Sequence, residues 1–460
     1  MRLETKYVRV SLRGALLLAA LLGMHASLST LAAQTSNEVS LTLNDAIDMA
    51  LKNNRVLQLA GLDVTDSEHL KKIARAAYFP EIKNESTALH ITELAGVIIP
   101  PGTFGNTTVT GPIPAHTLTI DQGELTAYTS GTGLAQPITQ MFKIRASNRA
   151  AAADVEAAKI KLTQTQDEIA LKVRQVYYGV LIAQLKQQAA EEQVQAAEQR
   201  DKESQRDVER GAALEVAALE SHAAWLNAKQ SVLTEKLEVD DLTLNLDDLL
   251  GLPIGTLLKL DSDIALPSAD IPPRADGLRI AKDQSPQILA AQQAVVKAKA
   301  GLTAAKDAYI PDITGIARYS YQSGVPFLVH NFGTFGVTFT YDLFDGGKRN
   351  EEIHHSKTLL NEAELNLTRL NEELEVQVNA AYDKVERIEG LMGVARKVMD
   401  LRTEAARVTD RQFEQSAALL SDKIKAHALA TEAHASLVEA TLGLSLAQNE
   451  VKRTIGQMPR

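Results

Sequence analysis

The amino-acid sequence predicts a mostly α-helical protein that also contributes strands to a small membrane β-barrel. Three observations lead to this fold class: two long stretches without proline, a tandem internal repeat, and short aromatic-rich segments in which apolar and polar residues alternate. Because proline breaks the interior of a helix, its absence over residues 138–252 and 327–458 favours very long helices.

Composition narrows the function classes before any motif is considered. The 460 residues include 48 Lys and Arg and 58 Asp and Glu, which gives a formal net charge of −10. This acidity argues against nucleic acid as a partner, because phosphate binding needs clustered basic residues. The sequence contains no cysteine, which excludes disulfides, thiolate metal ligands, cysteine nucleophiles and a lipidated N-terminal cysteine.

The N-terminus has the features of a secretory signal peptide. Four basic residues precede an apolar run from Gly14 to Met24, and small residues follow up to Ala33. We predict a signal peptide over residues 1–33, cleaved after Ala32 or Ala33. The alternative is a membrane-anchoring helix, but the run is well short of the roughly 20 residues that a span needs. The prediction is an exported chain that is periplasmic, secreted or inserted in an outer membrane.

The second proline-poor stretch carries a coiled-coil pattern. From Leu360 to Leu391, mostly apolar residues recur at alternating spacings of three and four. A helix from about Lys348 to Asp410 would be about 95 Å long at 1.5 Å per residue. A solvated coiled-coil rod would have the same periodicity, so the pattern alone leaves that alternative open.

The chain repeats itself at two offsets. Residues Ala77–Ile82 match Ala308–Ile313 at an offset of 231, whereas Tyr177 matches Tyr382 at an offset of 205. The first copy therefore carries an insertion of 26 residues, for which the stretch from 96 to 117, rich in Pro, Gly and Thr, is the obvious candidate. We expect this insertion to be an extracellular loop.

The repeat divides the chain into domains. We predict a first repeat over 34–251, a proline-rich equatorial linker over 252–274 and a second repeat over 275–460. Each copy is expected to contain a helix of about 30 residues, two strands and a long helical hairpin. The hairpin turns are expected near Gly211 and Ser416.

Four extended segments have the length of membrane strands. They are predicted at about 81–94, 118–137, 312–322 and 333–344; the first two alternate poorly and are predicted from the repeat alone. A transmembrane strand needs roughly 9–11 residues with alternating apolar and polar sides. The side chains expected to face lipid are Phe335, Val337, Phe339, Tyr341, Tyr319 and Tyr321. Because open sheet edges are not tolerated in lipid, four strands cannot suffice, and three copies would supply a 12-stranded barrel.

The ordered combination of these features resembles the TolC-like outer membrane efflux protein family. The matching parts are the junctions Ala77–Ile82 and Ala308–Ile313 and the segment from Tyr341 to Arg349, within a similarity that extends from about Leu41 to Gly456. The resemblance implies a homotrimer with a 12-stranded barrel in the outer membrane and an α-helical tunnel in the periplasm. Such a protein is a passive exit duct of a tripartite efflux or type I secretion system.

The resemblance also implies partners and site residues. The duct would dock on a periplasmic adaptor protein, coupled to an inner-membrane pump of the RND, ABC or MFS type. The expected docking tips are Gly211, Ala212, Ser416 and Ala417. Asp422 matches an acidic position at the tunnel entrance of the family, whereas a second acidic position is Lys425 here. These two side chains lie one helical turn apart and could pair.

No pattern in the sequence indicates catalysis, a cofactor or a metal. The pairs Glu351–His355 and His427–His434 each share a helix face, but neither has a third ligand nearby. The sequence contains none of the common phosphate-binding, hydrolase or zinc-protease motifs. The alternative to a duct is a periplasmic coiled-coil scaffold or adaptor without a barrel. The sequence does not indicate which substrate is exported.

Overall fold

The computed structural model describes residues 39–121, 123–261, 271–325 and 329–459. The predicted signal peptide lies outside these residues. The helices of the described chain are α1 (Leu43–Asn53), α2 (Arg55–Ala76), α3 (Met141–Glu209), α4 (Glu215–Leu250), α5 (Arg274–Gln284), α6 (Pro286–Asp307), α7 (Lys348–Glu414) and α8 (Leu420–Thr454). The strands are β1 (Val39–Leu41), β2 (Glu81–His90), β3 (Val97–Ile99), β4 (Asn106–Thr107), β5 (Gly111–Pro112), β6 (Leu118–Ile120), β7 (Thr126–Pro137), β8 (Leu258–Leu260), β9 (Asp312–Ser323) and β10 (Asn331–Thr340).

Each repeat begins with two helices, whereas the sequence predicts a single helix of about 30 residues there. Between α1 and α2, Asn54 adopts an extended backbone, and its side chain accepts a hydrogen bond from the Val56 amide at 2.9 Å. Between α5 and α6, Ser285 has nearly the same backbone angles and precedes Pro286. An asparagine cap and a proline at the first helical position both start a new helix, so the break recurs in both copies.

Two very long helices dominate the molecule. Helix α3 has 69 residues and α7 has 67, so each is about 100 Å long. Near the hairpin turns the helices pack in the order α4, α3, α8, α7, and towards the sheet in the order α2, α3, α6, α7. One edge of the chain is thus formed by α2 and α4 and the other by α7. None of the helices in the described residues is sufficiently long and apolar to cross a membrane.

The main sheet contains four antiparallel strands in the order β10, β9, β7, β2. The second-repeat strands lie within a few residues of their expected places, but the first-repeat strand expected from residue 118 begins at Thr126. Residues 118–120 instead form β6, which pairs with β3 inside the insertion, and β4 pairs with β5 there. The insertion is therefore a small β-structure of its own rather than an extension of the sheet.

The structure confirms both repeat offsets at a single contact. Gly251 and Gly456 end α4 and α8 with positive φ angles of 69° and 78°. An added Cβ on Gly251 would lie 3.3 Å from the carbonyl oxygen of Asn53, and one on Gly456 would lie 2.4 Å from that of Gln284. The glycines are 205 residues apart and their neighbours 231 apart, so each repeat closes on itself in the same way.

The molecule has two hydrophobic cores, each around a buried tyrosine; the first also includes Leu442 and Met458 of the second repeat. Tyr177 lies in the first core and donates a hydrogen bond to the Leu41 carbonyl at 2.8 Å. Tyr382 lies in the second core and donates to the Pro272 carbonyl at 2.8 Å. Burial raises the pKa of Tyr177 to about 12. These tyrosines fasten the segment before each repeat's first helix to the middle of a long helix.

Candidate functional site

The two hairpin turns at the far end of the helices have the same backbone geometry. Gly211 and Ser416 both adopt a left-handed conformation, with φ angles of 72° and 57°. The amides of Ala212 and Ala417 each donate to the carbonyl five residues earlier at 2.7 Å. Ser416 is the one non-glycine residue with positive φ in the described residues. The turn is thus retained although the second copy lacks glycine.

Asp422 acts within its own helix. Its carboxylate accepts a hydrogen bond from the Leu419 amide at 3.3 Å, next to the first turn of α8. A negative charge at a helix N-terminus also interacts favourably with the helix dipole. Lys425 is exposed, and the described residues contain no ion pair between it and Asp422. The pairing that their one-turn spacing allows therefore stays a prediction.

Polar contacts join the first hairpin to the returning helix of the second. Both the amide and the hydroxyl of Ser421 donate to the Glu203 carboxylate, the amide at 3.1 Å. The Thr431 hydroxyl donates to Glu192 at 2.6 Å. Among the described residues, the polar side-chain contacts between α3 and α8 are Glu203–Ser421, Glu192–Thr431, Gln193–Glu432, Lys186–Glu439 and Tyr178–Ser445. The sequence does not predict these contacts, because helix periodicity does not show which helices face each other.

Inside each hairpin, a histidine joins the two helices near the turn. His222 Nδ1 lies 3.1 Å from Asp201 Oδ2, and His427 Nε2 lies 2.9 Å from Asp410 Oδ1. Burial acts to raise the pKa of Asp201, but hydrogen bonds from His222, Ser221 and other donors lower it overall. Hydrogen bonds from His427 and then from a lysine lower the pKa of Asp410. Across the described chain, no group of three or more acidic or histidine side chains could hold a metal ion.

The sheet has two chemically different faces. Residues paired across antiparallel strands share a face, and Phe335, Val337 and Phe339 pair with residues on the same face of β9 as Tyr319 and Tyr321. All five side chains are exposed, and Phe335 is 92% exposed. The structure thus brings together these predicted lipid-facing residues. Tyr341, the sixth, follows the end of β10.

The same face is polar in the first repeat. The side chain of Asn84 donates to the Thr132 hydroxyl at 2.9 Å, and the hydroxyls of Ser86 and Ser130 lie 2.8 Å apart. This explains why the first-repeat strands alternate poorly in the sequence. Polar groups that satisfy one another are less costly in an apolar environment than isolated ones.

The opposite face of the sheet carries charges. Arg318 lies 3.7 Å from Glu85, and Lys83 lies 2.9 Å from Glu81. A Cβ on Gly131 would approach the Arg318 guanidinium to 2.5 Å, so the arginine lies flat across the strand at this glycine. The two acidic and two basic groups balance, and this face suits water.

The segment from Tyr341 to Arg349 forms the junction between β10 and α7. The Arg349 guanidinium lies between the rings of Tyr309 and Tyr341, 5.2 and 4.9 Å from their centroids, and bonds Asp345 at 2.6 Å. Gly346 and Gly347 both have positive φ, as this tight turn requires. The junction fixes the direction in which the helix leaves the sheet.

The two helical edges of the chain each carry an unpartnered apolar stripe. On α4 the exposed members are Val216, Leu219, Leu226, Leu233, Leu237 and Leu244. On α7 they are Leu391, Val394, Val398, Leu401 and Val408. Their spacing is that of a coiled-coil seam, in which such residues are covered by another helix.

Comparisons with known proteins are consistent with this architecture. A family model described as outer membrane efflux protein matches residues 46–252 and 277–457. No curated protein matches the sequence. The fold is similar to that of CusC, at a TM-score of 0.72 and 15% identity over 90% of this chain and 92% of that one. It is also similar to that of the outer membrane channel CmeC of Campylobacter jejuni, at a TM-score of 0.70 and 16% identity over 90% of this chain and 85% of that one. A third similar fold is that of the outer membrane protein VceC of Vibrio cholerae, at a TM-score of 0.68 and 15% identity over 90% of this chain and 96% of that one.

Proposed function

We infer the function from the family: this chain belongs to the outer membrane efflux proteins, and it is an exit duct of the outer membrane. The observation that carries this conclusion is the match of one family model to both repeats. The long helical hairpins at one end and the two-faced sheet at the other agree with it.

We propose that three copies close into one tube. Within the described part of a single chain, β2 and β10 each have one unpaired edge, and an edge cannot remain open in lipid. Strand β2 belongs to the same side of the chain as α2 and α4, and β10 to the same side as α7. A ring of copies therefore covers the apolar stripes and the sheet edges together. Twelve tilted strands enclose a backbone cylinder of about 24 Å diameter.

The aromatic face of the sheet would lie against outer membrane lipid and the charged face would line the water-filled lumen. Phe335, Val337 and Phe339 on β10 and Tyr319 and Tyr321 on β9 are exposed in the single chain, as a lipid-facing band requires. The helical tunnel extends from this barrel into the periplasm. A cleaved signal peptide over residues 1–33 would bring the chain there.

The hairpin tips at Gly211–Ala212 and Ser416–Ala417 are the proposed docking points for a periplasmic adaptor. The adaptor would connect the duct to an inner-membrane pump of the RND, ABC or MFS type. Asp422 and Lys425, both exposed beside the second tip, would lie at the tunnel entrance. Because one acid and one base alternate there, the entrance would select weakly for cations.

Transport through the duct is passive, and the entrance must open for it. Opening requires the second hairpin to move away from the first, which breaks the contacts between α3 and α8. The Glu203–Ser421 contact lies nearest the tips and would break first. Substrate then enters the tunnel and diffuses out through the barrel, with no chemical step.

The first test is fractionation of the expressed protein, followed by its mass in detergent with the detergent contribution subtracted. The proposal predicts a trimer in the outer membrane fraction. A soluble periplasmic species would instead favour the coiled-coil scaffold without a barrel.

The second test addresses the entrance. The chain has no cysteine, so cysteines introduced at Gly211 and Ser416 are the only thiols. Crosslinking them between neighbouring chains should block export, and reduction should restore it. Each single-cysteine variant is the matched control. Undiminished export with complete crosslinking would place the gate elsewhere.

A further inference from the structure

We propose that His222 and His427 are positioning residues that clasp the two helices of each hairpin in a proton-dependent way, tightening the tunnel entrance when the periplasm is acidified. This inference rests on the proposed function, because it concerns the regulation of the same entrance.

The first support is the way the repeat preserves the interaction. His222 and His427 occupy equivalent positions, 205 residues apart, eleven residues after Gly211 and Ser416. Their acidic partners are not equivalent: the position equivalent to Asp201 is Ala406, and the position equivalent to Asp410 is a glutamine. The two acidic positions differ by four residues, or one helical turn. The histidine–carboxylate pair is kept while the residue supplying the carboxylate changes, so the pair itself is what matters.

The clasp in the first hairpin has a buried carboxylate. Asp201 is 5% exposed and accepts hydrogen bonds from Ser221 at 3.0 Å and from Gln205 at 2.9 Å, besides its contact with His222. His222 is half exposed, so water can deliver its proton. Its ring also packs on Trp225, over which Lys229 lies at 3.6 Å from the ring centroid. The ion pair that protonation creates is therefore sheltered from solvent on one side.

The clasp in the second hairpin is more exposed and has a permanent cation. Lys423 Nζ lies 3.3 Å from Asp410, whose side chain is 30% exposed. This lysine also lies over the Phe413 ring, 5.4 Å from its centroid. The negative charge of Asp410 is thus already balanced by Lys423 when His427 is uncharged. Protonation should therefore strengthen the first clasp more than the second. Among the described side chains that hydrogen-bond Asp201, only that of His222 can become positively charged.

Histidine titrates between about pH 5 and 8, whereas the hydrogen bonds that lower the pKa of both aspartates keep them ionised there. The aspartate is ionised whether or not the ring is charged, so protonation of the ring adds an attraction between opposite charges to a hydrogen bond that already has a charged acceptor. Lower pH should thus hold each pair of helices together more firmly, and a rigid hairpin opens less readily.

The test is hydrogen exchange of the trimer in detergent, followed by mass spectrometry at pH 5.5 and 7.5 and corrected for the chemical exchange rate. Peptides across the first hairpin tip should be protected roughly fivefold more at pH 5.5. Peptides across the second tip should show a smaller gain, roughly twofold. Peptides from the equatorial core serve as the internal reference.

Three variants make the test specific. His222→Gln keeps a hydrogen-bond donor without a charge, and should remove the pH response of the first tip alone. His427→Gln should do the same for the second tip. His434→Gln is the matched control, because this exposed histidine lies on the same face of α8 and has no ion pair in the described residues.

The outcomes distinguish failure of the histidine clasp from failure of the proposed duct. An equal pH response in wild type and in His222→Gln, or none in wild type, would overturn the clasp while leaving the duct intact. Asp201→Asn provides a second check, since it should abolish the response although His222 remains. Failure to isolate a trimer from the outer membrane would instead refute the proposed function.

Discussion

The two repeats build the same shape with different contacts. Both end in a left-handed glycine at the equator and both turn in a left-handed residue at the tip. Yet a Cβ added at Gly456 would lie much closer to its neighbour than one added at Gly251. Tyr177 also makes more hydrogen bonds than Tyr382, and Ser416 occupies the position of Gly211 in the first copy. The features common to both copies therefore indicate which geometry the fold needs. The differences indicate which copy contributes more to the free energy of unfolding.

The largest expected difference concerns the equatorial glycines. A Cβ at residue 456 would lie 2.4 Å from a backbone oxygen that cannot move without shifting α5, whereas at residue 251 the nearest atom is 3.1 Å away. Gly456→Ala should destabilise by about 3 kcal/mol or more, and Gly251→Ala by about 1–2 kcal/mol from the backbone conformation alone. Thermal loss of helical circular dichroism in detergent would rank the two. Equal losses would mean that the repeats close equally tightly.

The equatorial tyrosines should differ next. The Tyr177 hydroxyl donates to Leu41 and accepts from the Asp261 amide at 3.0 Å, so it bridges β1 to the end of β8. The Tyr382 hydroxyl makes one such bond, to Pro272. Tyr177→Phe should lose about 2 kcal/mol and Tyr382→Phe about 1 kcal/mol. The thermal midpoints of the two variants, measured side by side, would show whether the tyrosine hydroxyl contributes more to stability in the first core than in the second.

Much of this architecture could be predicted from the sequence because it is a local property. Proline-free stretches with a three-four periodicity mark the long helices, and alternation marks the strand from Asn331 to Thr340. The repeat adds a long-range element, since the offset of 205 residues is enough to make Gly211 and Ser416 equivalent turns. The break at Asn54 could have been found in the same way, because it aligns with Ser285 before the informative Pro286.

The rest could not be predicted because it depends on which helices meet. The contact between Glu203 and Ser421 spans 218 residues, and no periodicity in either segment indicates it. The sequence does not predict the clasp between His222 and Asp201 for a related reason. The two residues lie on different helices, and the geometry of the turn decides which residues of these helices lie opposite each other. Asp422 illustrates the converse, since it accepts a hydrogen bond from the Leu419 amide, which is close to it in the sequence.

The buried Asp201 and the partly exposed Asp410 should respond differently to acid. The lowered pKa of Asp201 means that its stabilisation is present above the ordinary value near pH 3.9 and is lost as the pH falls through the lowered one. Asp201→Asn should therefore be less stable than wild type at pH 7, by about 1–2 kcal/mol, and approach it near pH 2. Asp410→Asn should show a smaller difference. Melting curves over this pH range test both variants, and a constant gap at every pH would contradict the prediction for Asp201.

The smallest expected effect concerns the turns themselves. A left-handed conformation is unfavourable for a side chain with a Cβ, so Ser416→Gly should stabilise the second tip by about 1 kcal/mol, and Gly211→Ser should weaken the first by a similar amount. Both changes lie on the solvent-exposed tips and leave the polar contacts between α3 and α8 in place. Hydrogen exchange at each tip measures them directly. If Ser416→Gly instead loosened the second tip, the serine side chain would have to contribute an interaction in the assembled trimer that outweighs its backbone strain. The two copies would then differ in what they bind as well as in how they are held.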